Sequence, residues 1–444
     1  MVVPEKILIV GGGVFGLSTA LSLSKRHPTT QITLLEASPT IPNPHGSSVD
    51  SSRIIRADYS HPIYSKLAAE ATDLWRRTEW GQDGRYTQNG LLLVYPDEDG
   101  NQNSTAKEYT TKSYHNVKAM GENAQLLPTK RDVLAAAPAY GETLNVAGGY
   151  VNWSSGWADA EAGVRFAKER LDKEGKNVRF VTGEVTKLLL SEKDNSAVTG
   201  VALADNTTIS ADLVILATGA WTASLIDLRG RAVSTGQAIA YMRISDAEQR
   251  TLENMPTILN FATGIFIIPP RNNVLKIARH AYGYQNPKAV PLPGTTSGET
   301  MHVSIPEKGV PIPLEGENAF RAALKQLLPA FAERPFINTR VCWYTDTPEG
   351  DFIITHHPSH TNLFLATGGS GHAYKFFPVI GDKVVDALEG TLSPQLKKLW
   401  DWPEAVDEGS FEGTEDGSRS GEKRLVLMEE LARTRKEVRS RGVL

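Results

Sequence analysis

Ile7-Leu8-Ile9-Val10-Gly11-Gly12-Gly13-Val14-Phe15-Gly16 is the stretch that decides the fold. Four aliphatic residues make a short strand, the glycines follow at once, and residues 17–26 continue as a helix with Leu17, Ala20 and Leu21 on one face. Gln31–Glu36 reads as a second strand. This βαβ opening predicts a parallel sheet with helices on both sides. Gly11, Gly13 and Gly16 satisfy the GxGxxG spacing. The first glycine permits the tight turn, the second lets the backbone approach a pyrophosphate, and the third lets helix and strand pack closely. Val14 and Phe15 open a helix whose free N–H groups and positive dipole end suit phosphates. Glu36 ends the second strand, where a carboxylate accepts hydrogen bonds from ribose hydroxyls. A nicotinamide or a flavin satisfies the fingerprint equally well. The apolar run 213–217, ending in Ala-Thr-Gly at Gly219, favours the flavin, because such a strand recurs where a second crossing of the chain approaches a flavin dinucleotide.

Working outward, 444 residues leave room for two or three domains. Hydrophobic residues make up 40% and charged residues 22%, which excludes long disorder and a collagen-like chain. A net charge of −4 argues against a large basic surface for nucleic acid. The single cysteine, Cys342, excludes an intrachain disulfide and a thiolate zinc cluster. The opening strand leaves no room for a signal peptide, and no apolar run approaches the ~20 residues needed to cross a bilayer. The chain ends Arg-Gly-Val-Leu, unlike a Ser-Lys-Leu peroxisomal address. The expectation is an intracellular protein, cytoplasmic or peroxisomal, acting as a monomer without nucleic-acid or membrane partners and without a metal. Residues 63–77, 159–174, 318–328 and 422–440 read as helices, and 97–105 as an exposed loop. Residues 401–420 carry seven acidic side chains and one arginine, and read as a solvated linker.

Further stretches carry a family resemblance. Cys342-Trp343-Tyr344-Thr345-Asp346-Thr347-Pro348 precedes Asp351-Phe352-Ile353-Ile354, and Gly368-Gly369-Ser370-Gly371-His372-Ala373-Tyr374-Lys375-Phe376 follows. Upstream lie Ser52-Arg53-Ile54-Ile55-Arg56 and Leu275-Lys276-Ile277-Ala278-Arg279-His280. With the N-terminal fingerprint, these motifs resemble the monomeric sarcosine oxidase family, which includes pipecolate, fungal saccharopine and fructosyl amino acid oxidases. The resemblance spans residues 7 to about 390 and implies an α/β flavoenzyme. A Rossmann-like FAD-binding domain of the glutathione-reductase type would comprise residues 1–85, 150–222 and 340–400. An α+β substrate domain on a mixed sheet would comprise 86–149 and 223–339, and 401–444 would be an acidic linker and C-terminal helix. The implied reaction oxidises a secondary amine to an imine, which water hydrolyses, while oxygen is reduced to hydrogen peroxide.

The resemblance also assigns roles. Cys342 matches the cysteine that carries the flavin through a thioether. Lys276 matches a lysine beside the flavin whose charge favours oxygen reduction. Arg53 matches an arginine near the ring, and His280 an active-site histidine. Ser52, Val185, Gly219, Gly369, Gly371 and Lys375 join the cofactor contacts. Arg56 and Lys375 match the pair that grips the substrate carboxylate, a rigid fork and a point charge. Tyr344 and His372 line the same site. Phe266 stands where sarcosine oxidases tend to place a tyrosine, and Tyr374 replaces a usual phenylalanine. Both departures count against sarcosine itself. The pattern is most like saccharopine and pipecolate oxidases. Alternatives are a fructosyl amino acid oxidase, a tailoring oxidase of an N-methyl amino acid, a dehydrogenase with another electron acceptor, and a flavin-binding protein without turnover.

Overall fold

A computed structural model of the chain describes residues 3–96, 105–193, 196–293, 298–404 and 411–440. Lys6–Val10 lies between Leu213–Leu216 and Gln31–Glu36, parallel to both. Leu363–Thr367 extends the parallel sheet beyond Leu213–Leu216, and Val178–Thr182 extends it beyond Gln31–Glu36. Ile353–His356 closes one edge antiparallel, making six strands. A parallel sheet needs cover on both faces, and the strand's period of two divides the work. Ile7 and Ile9 join the larger core with helices Val14–Arg26 and Phe377–Glu389. Leu8 and Val10 face the opposite core, which contains Val198, Val201 and Leu203. That second face is covered by the antiparallel strands Val185–Leu190, Val198–Leu203 and Thr208–Ser210 rather than by the expected helix. The crossover into Leu213–Leu216 is built from β-strands, so among the described residues α-helices cover the first face, and strands with the short 3-10 helix Gly219–Ser224 cover the second.

The second sheet has ten strands and is mixed, as expected. At its centre Val233–Arg243 pairs antiparallel with Asn338–Asp346 on one side and Val274–Arg279 on the other. Strands Gly148–Asn152 and Asn338–Asp346 belong to this sheet, so residues 150–152 and 340–346, which the sequence division groups with the FAD-binding domain, pair within the second sheet. Helix Thr105–Ala119, absent from the sequence reading, begins where the described chain resumes, and the expected loop at 97–105 lies outside the described residues except for Thr105, which starts this helix.

The acidic stretch departs most from expectation. Residues 405–410 lie outside the described residues, but 411–420 are not a solvated linker: Phe411, Thr414, Ser418 and Arg419 are buried. Glycines and small polar residues let this strap follow the body closely, with Thr414 Oγ1 donating to the Thr347 carbonyl at 2.9 Å and Glu415 N to the Pro348 carbonyl at 2.8 Å. Leu425–Val426 then adds a strand to the second sheet, and helix Leu427–Ser440 follows, with Leu427 and Leu431 buried and Met428 exposed.

Candidate functional site

The glycine turn is shaped by its neighbours. Gly11 has φ +111°, and a Cβ there would collide with the Ala217 carbonyl. Gly16 permits the closest approach of helix to turn, since a Cβ would strike the Gly11 carbonyl. Helix Val14–Arg26 starts at Gly13 with no side-chain cap and no acid in its first turn. Val14 N donates to Ser48 Oγ at 3.1 Å, and the rest of this N-terminal end offers donors and positive potential to a phosphate. Glu36 accepts from Gly12 N at 2.7 Å, Ser38 N at 3.0 Å and Asn43 Nδ2 at 2.8 Å. Its carboxylate thus stands at the rim of a cleft lined by Gly11, Gly13, Val14, Phe15, Arg53, Val185, Gly219, Gly369 and Gly371. This glycine cradle, uncapped helix end and strand-end acid fit the dinucleotide of an FAD.

A smaller chamber adjoins the cleft and shares Arg53, Tyr344, Gly371, His372 and Tyr374 with it. Strand periodicity supplies one wall. Antiparallel partners share a face, so the pairings Gln237–Cys342, Ile239–Ala278 and Tyr241–Lys276 align Lys276, Ala278 and His280 with Arg340, Cys342 and Tyr344. Phe266 pairs with Ala278 and joins this face. Gly371 has φ +67°, and a side chain there would overlap the Tyr344 ring. Cys342, His280, Arg56, Lys375 and Phe266 all line the chamber. Lys276 and Ser52 line neither space.

Lys276 is buried and donates to Asp50 Oδ2 and to the Ser52 carbonyl, both at 2.8 Å. Asp50 also forms an ion pair with Arg53 and accepts from Tyr241 Oη at 2.6 Å. Burial pulls the Lys276 ammonium down and Asp50 pulls it partly back, leaving it at about 8. Burial alone would raise the Asp50 carboxyl, but Lys276, Arg53 and Arg340 hold it well below the usual range. Arg53 Nη2 lies 3.4 Å from Cys342 Sγ, which places a fixed cation beside the only thiol.

Arg56 and Lys375 are 5% and 4% exposed, and among the described residues neither has a carboxylate within ion-pair distance. Both gather round Tyr59: the Arg56 guanidinium carbon lies 4.6 Å from the ring centroid and Lys375 Nζ 2.7 Å from the hydroxyl. Arg56 Nη1 is buried with no hydrogen-bond partner. Burial, with Arg56 beside it, holds the Lys375 ammonium well below its ordinary value.

The two histidines are fully engaged. His372 Nε2 donates to the Gly350 carbonyl at 2.8 Å, so Nδ1 accepts from Tyr59 Oη at 2.9 Å. His280 Nδ1 accepts from Arg419 Nη1 at 3.2 Å, which leaves Nε2 to donate to Ser418 Oγ at 3.3 Å. Burial first, then the surrounding cations, hold both imidazoles neutral, well below the ordinary value. Tyr374, the departure noted in the sequence, donates its hydroxyl to the Ala160 carbonyl at 3.0 Å and stacks on Trp75.

Three groups here were missed from sequence. Asp50 stands three residues before Arg53, an acid–base spacing that was readable. Tyr59 has no local signal. Arg419, the lone arginine of the acidic stretch, is 1% exposed along its side chain, pairs with Asp346 at 2.6 Å and donates to the Ser370 carbonyl at 2.9 Å. Its isolation among acids was the signal.

Comparison with known proteins accords with this geometry. A family model described as FAD dependent oxidoreductase matches residues 6–387. The amino acid oxidase imqH of Aspergillus flavus is 31% identical, covering 91% of this chain and 98% of that protein. The L-saccharopine oxidase of Schizosaccharomyces pombe is 29% identical over 90% of this chain and 93% of its own length. A fructosyl peptide oxidase structure from Aspergillus nidulans superposes with a TM-score of 0.84 at 28% identity, covering 96% of this chain and 98% of that one. Among the described residues, no helix is long and apolar enough to cross a membrane.

Proposed function

The chain belongs to the FAD-dependent oxidoreductase family, and from that premise we propose that it oxidises the C–N bond of an N-substituted or cyclic amino acid. Oxygen is the electron acceptor in this reading and hydrogen peroxide the second product. The observation that carries it is the pair of buried cations, Arg56 and Lys375, that face the chamber with no carboxylate of their own. Ions are costly to bury unpaired, and a substrate carboxylate is the partner that completes them. The amino acid, saccharopine and fructosyl peptide oxidases among its relatives support the same class.

FAD, when bound, supplies the two-electron oxidation and its return to oxygen. The chain's own residues do the rest. Arg56 offers a planar fork and Lys375 a point charge, and together they orient the substrate by its carboxylate. The same cations, in a buried chamber, favour the neutral amine whose lone pair becomes the imine bond. His280 and His372 have both ring nitrogens occupied, so they shape the wall and move no proton. Lys276 lines neither space, but its ammonium lies on the sheet face that carries Cys342 and would stabilise negative charge developed there as oxygen is reduced at a bound flavin. Cys342 would be the tether for the flavin, with Arg53 Nη2 held 3.4 Å from its sulfur.

The test is direct. Anaerobic mixing with an N-methyl amino acid should bleach the yellow protein, and admitting air should restore the colour with one peroxide per turnover. Acid precipitation should leave the colour in the pellet. Colour in the supernatant removes the tether and keeps the oxidase; failure to bleach with any secondary amine removes the oxidase.

A further inference from the structure

The charges around the chamber can be tallied, and the tally narrows the substrate. Four cations on or beside its walls already have a carboxylate from the chain. Lys276 and Arg53 share Asp50. Arg279 pairs with Glu315 at 2.6 Å, and Arg419 with Asp346 at 2.6 Å. Only Arg56 and Lys375, among the described residues lining the chamber, have none, and they sit together round the single ring of Tyr59. Asp58 acts on both through space but forms no ion pair with either, and its carboxylate is taken up by Tyr150 Oη, Asn152 Nδ2 and Ser155 Oγ, which all donate to it. The chamber therefore has one place for an anion. The rest of its lining is mainly apolar, with Ile54, Ile239, Leu259, Phe266 and Ala278; of the neutral polar side chains, Gln237 is bound to Ala281 and Tyr374 to the Ala160 carbonyl, and Tyr344 adds a phenol. The two histidines add no free donor or acceptor.

We propose that this chamber selects amines bearing one carboxylate and an apolar remainder, and turns away substrates with further carboxylates or a polyhydroxyl chain. The proposal rests on the oxidase reading above and sharpens it. A second carboxylate would be buried against aliphatic side chains with no partner, and sugar hydroxyls would exchange water for the same surface. Each is a desolvation penalty without compensation.

The holoenzyme is presented anaerobically, then in air, with N-methyl-L-leucine, N-methyl-L-phenylalanine, L-pipecolate, L-saccharopine and fructosyl-valine. The expected result is a kcat/KM at least about 30-fold higher for the best single-carboxylate apolar substrate than for saccharopine or fructosyl-valine, the size expected when buried polar groups go unpaired. A binding arm needs no turnover: cyclohexanecarboxylate should perturb the flavin spectrum at a concentration at least about 30-fold below that needed for glutarate, on the same reasoning. A smaller preference in the turnover arm, or equal binding of glutarate, overturns the inference and leaves the oxidase reading standing. If none of the five amines bleaches the flavin, the oxidase reading fails and takes this inference with it.

Discussion

Two pairs of cations, all buried but the half-buried Arg53, flank the chamber and follow opposite rules. Lys276 and Arg53 close on Asp50, with Tyr241 completing the carboxylate's shell. Arg56 and Lys375 close on a phenol ring and a few neutral acceptors. The first pair is compensated within the chain, so its geometry is part of the native structure. The second pair bears a desolvation cost that these neutral groups offset in part and a ligand carboxylate would relieve further. A buried ion with its partner reports on folding, and a buried ion without one reports on binding.

The largest expected effect breaks the compensated pair. Asp50→Asn leaves the buried Lys276 and the half-buried Arg53 with no anion between them, and should lower the unfolding free energy by about 3–5 kcal/mol, the usual cost of removing one partner of a buried pair. Urea denaturation of the holoprotein measures it, and an unchanged midpoint would mean that the pair is not holding the fold. The matching change in the uncompensated pair should act the other way. Arg56→Met removes an unpaired buried charge, so stability should hold or rise. Turnover should instead suffer: kcat/KM for a carboxylate-bearing amine should fall roughly 30- to 4,000-fold, about 2–5 kcal/mol. The amide of the same substrate should lose far less, and an equal loss for both would detach Arg56 from the carboxylate.

Next in size is the residue the uncompensated cations share. Tyr59→Phe keeps the ring beneath Arg56 but deletes the oxygen that accepts from Lys375 and donates to His372. The KM should rise roughly tenfold, as for a lost hydrogen bond to a charged group, with little change in kcat. Steady-state kinetics separates the two constants, and a fall confined to kcat would show that Tyr59 does not serve the clamp.

How much of this was legible in the sequence depends on the range of the interaction involved. The glycine turn, the strand before it and Glu36 form one local unit, and periodicity alone exposed it. Lys276 and His280, four apart on a strand, could be read onto one face. The helix expected on the second face of the parallel sheet was wrong because a βαβ opening does not dictate later crossovers, and the one into Leu213–Leu216 is made of strands. Residues 411–420 were misread because charge content says nothing of the contacts a segment makes. Arg419 is buried through Asp346, 73 residues away in the chain, and no window of sequence contains that pairing. Tyr59 escaped for the same reason, since its partner Lys375 lies 316 residues on.

The smallest effect is also the sharpest for the compensated pair, because its sign can be worked out. Burial lowers the Lys276 ammonium from its ordinary value and Asp50 raises it part of the way back, to about 8. The charge is present below that pH and lost above it. The oxygen half-reaction should therefore slow as pH rises, by roughly half at pH 8 and tenfold per unit beyond. Substrate oxidation has the opposite sign, since it needs the neutral amine and gains as pH rises. Stopped-flow measurement of the two half-reactions should show them diverging above pH 8. In Asp50→Asn the raising contribution is gone, so the fall in the oxygen half-reaction should move below pH 8 while the substrate half-reaction keeps its profile. If both profiles move together, the charge that the oxygen step feels is not the one on Lys276.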